Sequence, residues 1–361
     1  MKILVLCRPY LGDTVLTASV FRNLRAWMPQ ADITAAGYAG FTDALSLIPR
    51  IDEIVSLRKQ RAAGESHAAF LRYWAGVLRR FRAARFDLVI DLMQTDKSAL
   101  ICAASAAPRR AGFVNRRRRA RHRVYTDLAL WTEAELQTTH HVDLYLKTLE
   151  ILAIPIRSRF TEIVLQPEEI EAARERLRHA LPDRTGPVVA VHPGASTPNR
   201  CWPPEHFAAA CDWLQRHLGA RVLLLGGAKE AQALAIIRSA MRTKAAALEG
   251  PLSTREFAAV LAAADLLFGN GSGPMHLAAA VGTPVVAIFD GAVASQWLPL
   301  GENHRVVLPE KPCPCVSPDL CMPPNPYHTF CIRTVSRERV FAALAQQLTE
   351  RAEMPLARRA R

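Results

Sequence analysis

The chain has 361 residues, half of them apolar, enough for two sizeable cores and far from a disordered composition. Lys and Arg number 46 against 33 Asp and Glu, a net charge of +13 that calls for an anionic partner: nucleic acid, acidic lipid or a phosphorylated substrate. No apolar run approaches the ~20 residues of a membrane span, and Met1–Cys7 is too short, and too soon followed by Arg8 and Asp13, for a signal peptide. A cytoplasmic protein, peripheral to a membrane, is the expectation.

Apolar strand-like runs alternate with amphipathic helical stretches along nearly the whole chain. In the first half the expected strands are Lys2–Cys7, Asp32–Ala36, Glu53–Leu57 and Phe86–Leu92. Helices Thr14–Trp27 and His67–Arg85 lie between them. In the second half the strands are Val188–His192, Arg221–Leu225, Asp265–Phe268 and Pro284–Phe289. Helices Pro204–Leu218, Lys229–Arg242 and Ser253–Ala263 intervene. This rhythm predicts α/β architecture with βαβ units and parallel sheets. The proline-rich, charged stretch 155–187 reads as the connection between two doubly wound sheets. Ligands of such sheets bind outside the carboxyl ends of the strands.

Three loops stand at expected strand ends. The first, Arg8-Pro9-Tyr10-Leu11-Gly12-Asp13-Thr14, is not GxGxxG and so does not support a nicotinamide site. Asp13 is either a helix N-cap or a general base. The second loop, residues 193–203, carries Ser196, Thr197 and Arg200, which suit a phosphate clamp. Gly226 to Glu230 form a further turn. There Glu230 either accepts from a ribose hydroxyl or favours a helix N-terminus. The third loop lies in GNGSGPMHLAAAVGTP, Gly269 to Pro284. Ser272 is a candidate N-cap, and Pro274 near the start with Gly282 past the end gives the helix its polarity. Such a start offers backbone N–H groups and a positive dipole end to an anion.

Taken together, these segments resemble the bacterial glycosyltransferases of family nine, the lipopolysaccharide heptosyltransferase-like enzymes. The matching segments are RPYLGDTVLTASVFRNLR, IPRIDEIVSL, FDLVIDLMQTDKSAL with APRRAGF, VHPGASTPNRCWPPEHF and SGPMHLAAAVGTPVVAIF, spread over roughly residues 1–345. The resemblance implies a GT-B fold, two facing Rossmann-like doubly wound domains with a cleft between. The expected division is 1–165 for the acceptor domain, 166–335 for the nucleotide-sugar domain, and 336–361 for a helix crossing back to the first domain plus a basic tail. It implies an inverting transfer of a sugar, heptose from ADP-heptose, to a lipopolysaccharide core acceptor. Asp13 matches the family's proposed base. Ser196, Thr197 and Arg200 match its diphosphate loop, Glu230 a nucleoside contact, and Ser272, Gly273 and His276 its donor-binding helix start. Departures exist. Gly271 stands where the family usually has Asp, Arg200 where Lys is common, and Asp290-Gly291-Ala292 where Gly-Pro-Thr or Gly-Pro-Ser is frequent.

Two features fall outside that reading. Arg109, Arg110, Arg116, Arg117, Arg118, Arg119, Arg121 and Arg123 crowd one region. They suit anionic headgroups or acceptor phosphates, at about 1 kcal/mol per basic residue near an acidic surface. No aromatic platform for nucleic acid accompanies them. Cys313, Cys315, Cys321 and Cys331 suit tetrahedral zinc or an iron site by donor type, but their spacing is not two CxxC knuckles. Reduced structural thiols are the expectation and a metal the alternative. No Asp-x-Asp occupies a suitable loop, so no metal cofactor is expected for catalysis. The competing readings are a GT-B nucleotide-sugar epimerase and a non-catalytic basic lipid- or nucleic-acid-binding protein.

Overall fold

The computed structural model describes residues 1–115, 123–182, 185–291, 294–311 and 331–353. Contacts divide the chain into two compact units, Met1–Val164 and Leu165–Arg361.

The first unit holds β1 (Lys2–Leu6), α1 (Leu11–Trp27), β2 (Asp32–Tyr38), α2 (Thr42–Leu45), β3 (Glu53–Leu57), α3 (His67–Ala84), β4 (Leu88–Asp91), α4 (Asp96–Ser105), β5 (Arg109–Asn115), β6 (Asp127–Trp131), α5 (Glu133–Thr138) and α6 (His141–Glu150). Its six strands lie in the order β3-β2-β1-β4-β5-β6, all parallel. Residues of β1 and β4 are buried on both faces, which is why they read as continuous apolar runs. Side chains set the helix starts. Ser66 caps α3 by accepting from the Ala69 amide at 3.1 Å, and Thr95 forms a capping box with Ser98 at α4.

The second unit holds α7 (Pro167–Ala180), β7 (Val188–His192), α8 (Pro204–Leu218), β8 (Arg221–Leu224), α9 (Ala231–Ala240), β9 (Ala246–Ala247), α10 (Thr254–Ala263), β10 (Leu266–Asn270), α11 (Gly273–Ala280), β11 (Val285–Ile288), α12 (Ala294–Trp297), β12 (His304–Val307) and α13 (Arg337–Glu353). The order β12-β11-β10-β7-β8-β9 repeats that of the first unit, again all parallel. An aromatic knot fills its centre. Trp202 meets Phe207 edge-on at 5.2 Å between centroids, and Phe207 meets Phe268 at 5.1 Å.

The alternation of strand and helix is borne out, with β5, β6, β9 and β12 added. Strand β10 runs two residues further than expected, so Gly269 and Asn270 belong to the sheet and not to the loop. The C-terminal helix has its apolar stripe in the second unit. Val340, Leu344 and Leu348 join that core, and α13 packs on α8, β11 and β12. Phe341 stacks on Trp213 at 4.9 Å, and Arg351 pairs with Asp265 at 3.1 Å. Spacing at three and four residues gave the helix a buried face but not the identity of the surface that covers it. Among the described residues no helix is long and apolar enough to cross a membrane.

Leu344 is fully buried, so Leu344→Ala is expected to cost about 2–5 kcal/mol through lost burial and the cavity left. Denaturant unfolding followed by tryptophan fluorescence measures this. The second unit holds Trp202, Trp213 and Trp297 as reporters.

Candidate functional site

In a doubly wound sheet the strand order reverses at one place, and the loops after the two strands there diverge to opposite faces. In the first unit this place lies between β1 and β4. In the second it lies between β7 and β10.

At the first switch point α1 begins without a side-chain cap. Tyr10 is the N-cap residue, in an extended conformation, so Asp13 is not the cap but lies one turn inside the helix. Asp13 is buried, only 4% exposed. Its Oδ1 accepts from the hydroxyl of Tyr145 on α6 and pairs with Arg8 Nε at 3.1 Å. Burial raises the Asp13 carboxyl above its ordinary range, against the opposing pull of Arg8 and Tyr145. Burial, followed by the Asp13 charge, pushes the Tyr145 phenol well above its usual value, so it stays a hydrogen-bond donor. The result is an ionisable carboxylate of increased basicity at a strand's carboxyl end, the property a general base requires. Asp91, at the end of β4, is also buried, but its oxygens are occupied. It accepts from the Met93 and Gln94 amides at 2.9 and 3.0 Å and from the Tyr125 hydroxyl at 2.7 Å, which holds the turn in shape.

At the second switch point Asn270 fastens the loop that follows β7. Its Nδ2 donates to the Pro193 carbonyl at 2.6 Å and its Oδ1 accepts from the Trp202 amide at 3.0 Å. Trp202 Nε1 donates to Val335 at 2.9 Å, which pins the far end of the loop to the core. Between these anchors Ser196 is exposed, and Thr197 and Arg200 are half-buried. Arg200 Nε lies 3.6 Å from Oδ2 of Asp290, a buried carboxylate just beyond β11. The side chain of Glu230, N-cap of α9, leans over Gly194: a Cβ there would come within 2.6 Å of it. Its Oε2 accepts from the Gly227 amide at 2.8 Å. His192, at the end of β7, is kept neutral by burial against the pull of Glu230, and its buried Nδ1 has no hydrogen-bond partner among the described residues.

The start of α11 completes this group. Ser272 is the N-cap residue, yet its hydroxyl does not cap the helix. It is buried and without a hydrogen-bond partner among the described residues. Gly273 and Pro274 form the first turn, and His276 is buried with its ring edge-on to Trp297 at 6.0 Å. Pro274 has no N–H and the Met275 amide donates to the Ser272 carbonyl at 3.0 Å, so the Gly273 N–H is the donor this turn leaves free of side-chain competition among the described residues. Gly271 has no room for a side chain. A Cβ there would lie 2.4 Å from the buried ring of Phe289.

The sequence reading thus named Asp13 and the second unit's loop residues, noted Asp290 only as a departure from the family's turn, and missed Tyr145, Asn270 and Phe289. Tyr145 is remote in sequence from Asp13, and no spacing pattern links them. Arg109 and Arg110 are not free cations. Arg109 pairs with Asp127 at 2.7 Å, and Arg110 Nε donates to the Val124 carbonyl at 2.6 Å. Arg123 is exposed, while Arg116, Arg117, Arg118, Arg119 and Arg121 lie outside the described residues. So do Cys313, Cys315 and Cys321. Cys331 is described, and its sulfur accepts from the Gly291 amide at 3.4 Å. Among the described residues no group of three or more His, Cys, Asp or Glu could hold a metal ion.

Two outcomes are expected. Asp13, its folded-state pKa raised, adds stability that is complete below the ordinary carboxylate value and is lost as pH rises through the raised one. The melting temperature of Asp13→Asn should therefore gain on that of the native protein as pH rises across this window. Thermal melts of both from acid to neutral pH check it. Gly271→Asp should destabilise by about 1–3 kcal/mol through overpacking. In a Phe289→Ala background that penalty should shrink, a coupling a double-mutant cycle measures.

Comparison with known proteins bears on the family and the fold. The family model described as Glycosyltransferase family 9 (heptosyltransferase) matches residues 74–322. Lipopolysaccharide heptosyltransferase 2 of Escherichia coli K12 is 28% identical over 319 residues, covering 85% of this chain and 88% of that protein. The crystal structure of a family 9 glycosyl transferase from Veillonella parvula aligns with a TM-score of 0.80 at 23% identity, covering 97% of each chain. That of Escherichia coli ADP-heptose LPS heptosyltransferase II aligns at 0.78 with 22% identity, over 98% of this chain and 100% of that one. These structural likenesses establish the fold, GT-B in type. The match over most of the chain establishes more: this protein is a glycosyltransferase and belongs to glycosyltransferase family 9.

Proposed function

We propose that this enzyme transfers heptose from ADP-heptose, with inversion, to the core of a lipopolysaccharide or a related glycan acceptor. One observation carries the donor side. At the second unit's switch point a loop bearing Arg200 is anchored beside an uncapped helix start whose Ser272 hydroxyl is buried and unpartnered. That combination suits a diphosphate. The family and the names of the relatives supply the sugar and the acceptor class.

In this reading the second unit, residues 166–335 of the expected division, binds the nucleotide sugar. Arg200 and the Gly273 N–H at the start of α11 meet the diphosphate, whose charge grows as the glycosidic bond breaks, and preorganised donors stabilise that charge. Ser196, Thr197 and Ser272 add hydroxyl donors. Glu230 accepts from the ribose, and His276 shapes the pocket behind Gly273. The first unit binds the acceptor, and Asp13 takes the proton from the attacking hydroxyl. The proposal extends to a cytoplasmic location at the inner-membrane surface, supported by the net charge of +13 and by the arginines of 116–121, which suit phosphorylated lipid.

Thermal shift against nucleoside diphosphates tests the donor: ADP should stabilise more than UDP or GDP at equal concentration, since binding to the folded state alone raises its melting point. Arg200→Ala should weaken that shift and lower turnover by about 10²–10³-fold. Asp13→Ala should lower transfer by about 10²–10⁴-fold with the ADP shift intact. Near-native turnover of Asp13→Ala would remove it as base. Conversion of the nucleotide sugar to an isomer without acceptor would favour the epimerase reading.

A further inference from the structure

The carboxylate of Asp13 has two oxygens, and the protein treats them differently. The Tyr145 hydroxyl and Arg8 Nε both go to Oδ1. Among the described residues no side-chain hydrogen bond goes to Oδ2. We infer that Tyr145 and Arg8 are positioning residues that hold Asp13 by Oδ1 and so reserve Oδ2 as the atom that takes the acceptor's proton. The inference rests on the reading of Asp13 as the base.

The support for both donors is rigid. Tyr145 is buried, on a helix that packs against α1. Its ring contacts Phe113 at 6.2 Å and His141 at 6.1 Å between centroids. Arg8 is held through its backbone. The Thr14 hydroxyl donates to the Arg8 carbonyl at 3.3 Å and to that of Tyr10 at 2.9 Å. A side chain held at one oxygen by a hydrogen bond from one element and an ion pair from another loses its freedom to rotate about χ2, and the other oxygen acquires a fixed direction. The charged and titratable groups that face Asp13 are Arg8 from the loop after β1 and Tyr145 from α6, with His141 one turn before Tyr145.

The chemistry this supports balances simply. The acceptor oxygen forms a bond to the anomeric carbon while the bond from that carbon to the diphosphate oxygen breaks. The leaving electron pair goes with the nucleoside diphosphate. The proton of the acceptor hydroxyl passes to Oδ2, leaving a neutral Asp13 that later releases the proton to solvent. The donors on Oδ1 work in a second way. Burial drives the carboxyl toward its protonated form, which cannot act as a base, and Tyr145 and Arg8 oppose that drive.

The test measures the pH dependence of transfer in the full-length enzyme for Tyr145→Phe, Arg8→Ala and Asp13→Asn. Activity needs ionised Asp13 and is lost as pH falls through its folded pKa. Removing a donor to the carboxylate raises that pKa, so the acidic limb should move to higher pH in Tyr145→Phe and Arg8→Ala. Tyr145→Phe should lose about tenfold to a hundredfold in kcat, the worth of one hydrogen bond to a charged group. KM for both substrates and the ADP-induced thermal shift should stay near native. If Tyr145→Phe and Arg8→Ala keep the native acidic limb and kcat while Asp13→Asn is inactive, the positioning role is overturned and the base stands. If Asp13→Asn remains active, the base reading falls and the inference with it. Arg8→Ala guards against a folding defect at the buried tyrosine, because Arg8 is only half-buried.

Discussion

Everything functional in this protein depends on one topological constraint, met twice. A parallel sheet wound in the order 3-2-1-4-5-6 must send the connections of its two central strands to opposite faces. The loops after those strands cannot pack on each other, and the backbone groups there lack the partners that the sheet and helices supply elsewhere. Side chains must hold such loops in place. In the second unit Asn270 and Trp202 do so. In the first, Thr14 secures the carbonyls of Arg8 and Tyr10. The fold creates the opening, and a few polar anchors give it shape.

Not every helix start near these openings is treated alike. Helices α3, α4 and α10 are capped by their own serine or threonine side chains. Of the four helices that follow the switch-point strands, α1, α8 and α11 have no side-chain cap, whereas α4 has one. A cap is worth about 1 kcal/mol, so leaving it out costs stability where a ligand must later supply the partner. Asp13 is a second such cost. Burial opposes its charge and raises its basicity, the property the proposed role as base requires.

The second unit also shows how one substitution constrains its neighbours. The ring of Phe289 fills the space that a side chain at 271 would need. One residue further along the same strand edge, Asp290 brings a buried carboxylate to Arg200. The absence of a side chain at 271 is therefore tied to the ring of Phe289 and is not a property of one position.

Much of this was legible in the sequence. Strand and helix alternation follows from the periodicity of apolar residues, which the local chain controls through burial and side-chain direction. The loop glycines, Arg200 and Asp13 were visible because strand ends can be located and ligand chemistry uses few residue types. Helix starts such as Ser66, Thr95 and Ser253 are local hydrogen-bond problems, solved within four residues. What the chain alone could not reveal depends on contacts between distant segments. Tyr145 reaches Asp13 from 132 residues away, and Phe289 meets Gly271 across neighbouring strands. The surface that covers α13 is likewise a matter of which core lies within reach, not of its own amphipathic pattern. From the local chain came the alternation of strand and helix and the residue types at strand ends, because those follow from propensity and burial; the strand orders and β5, β6, β9 and β12 did not. Only the tertiary structure decided which oxygen of Asp13 is held and why position 271 is empty, because hydrogen-bond direction and steric exclusion exist only between atoms already brought together.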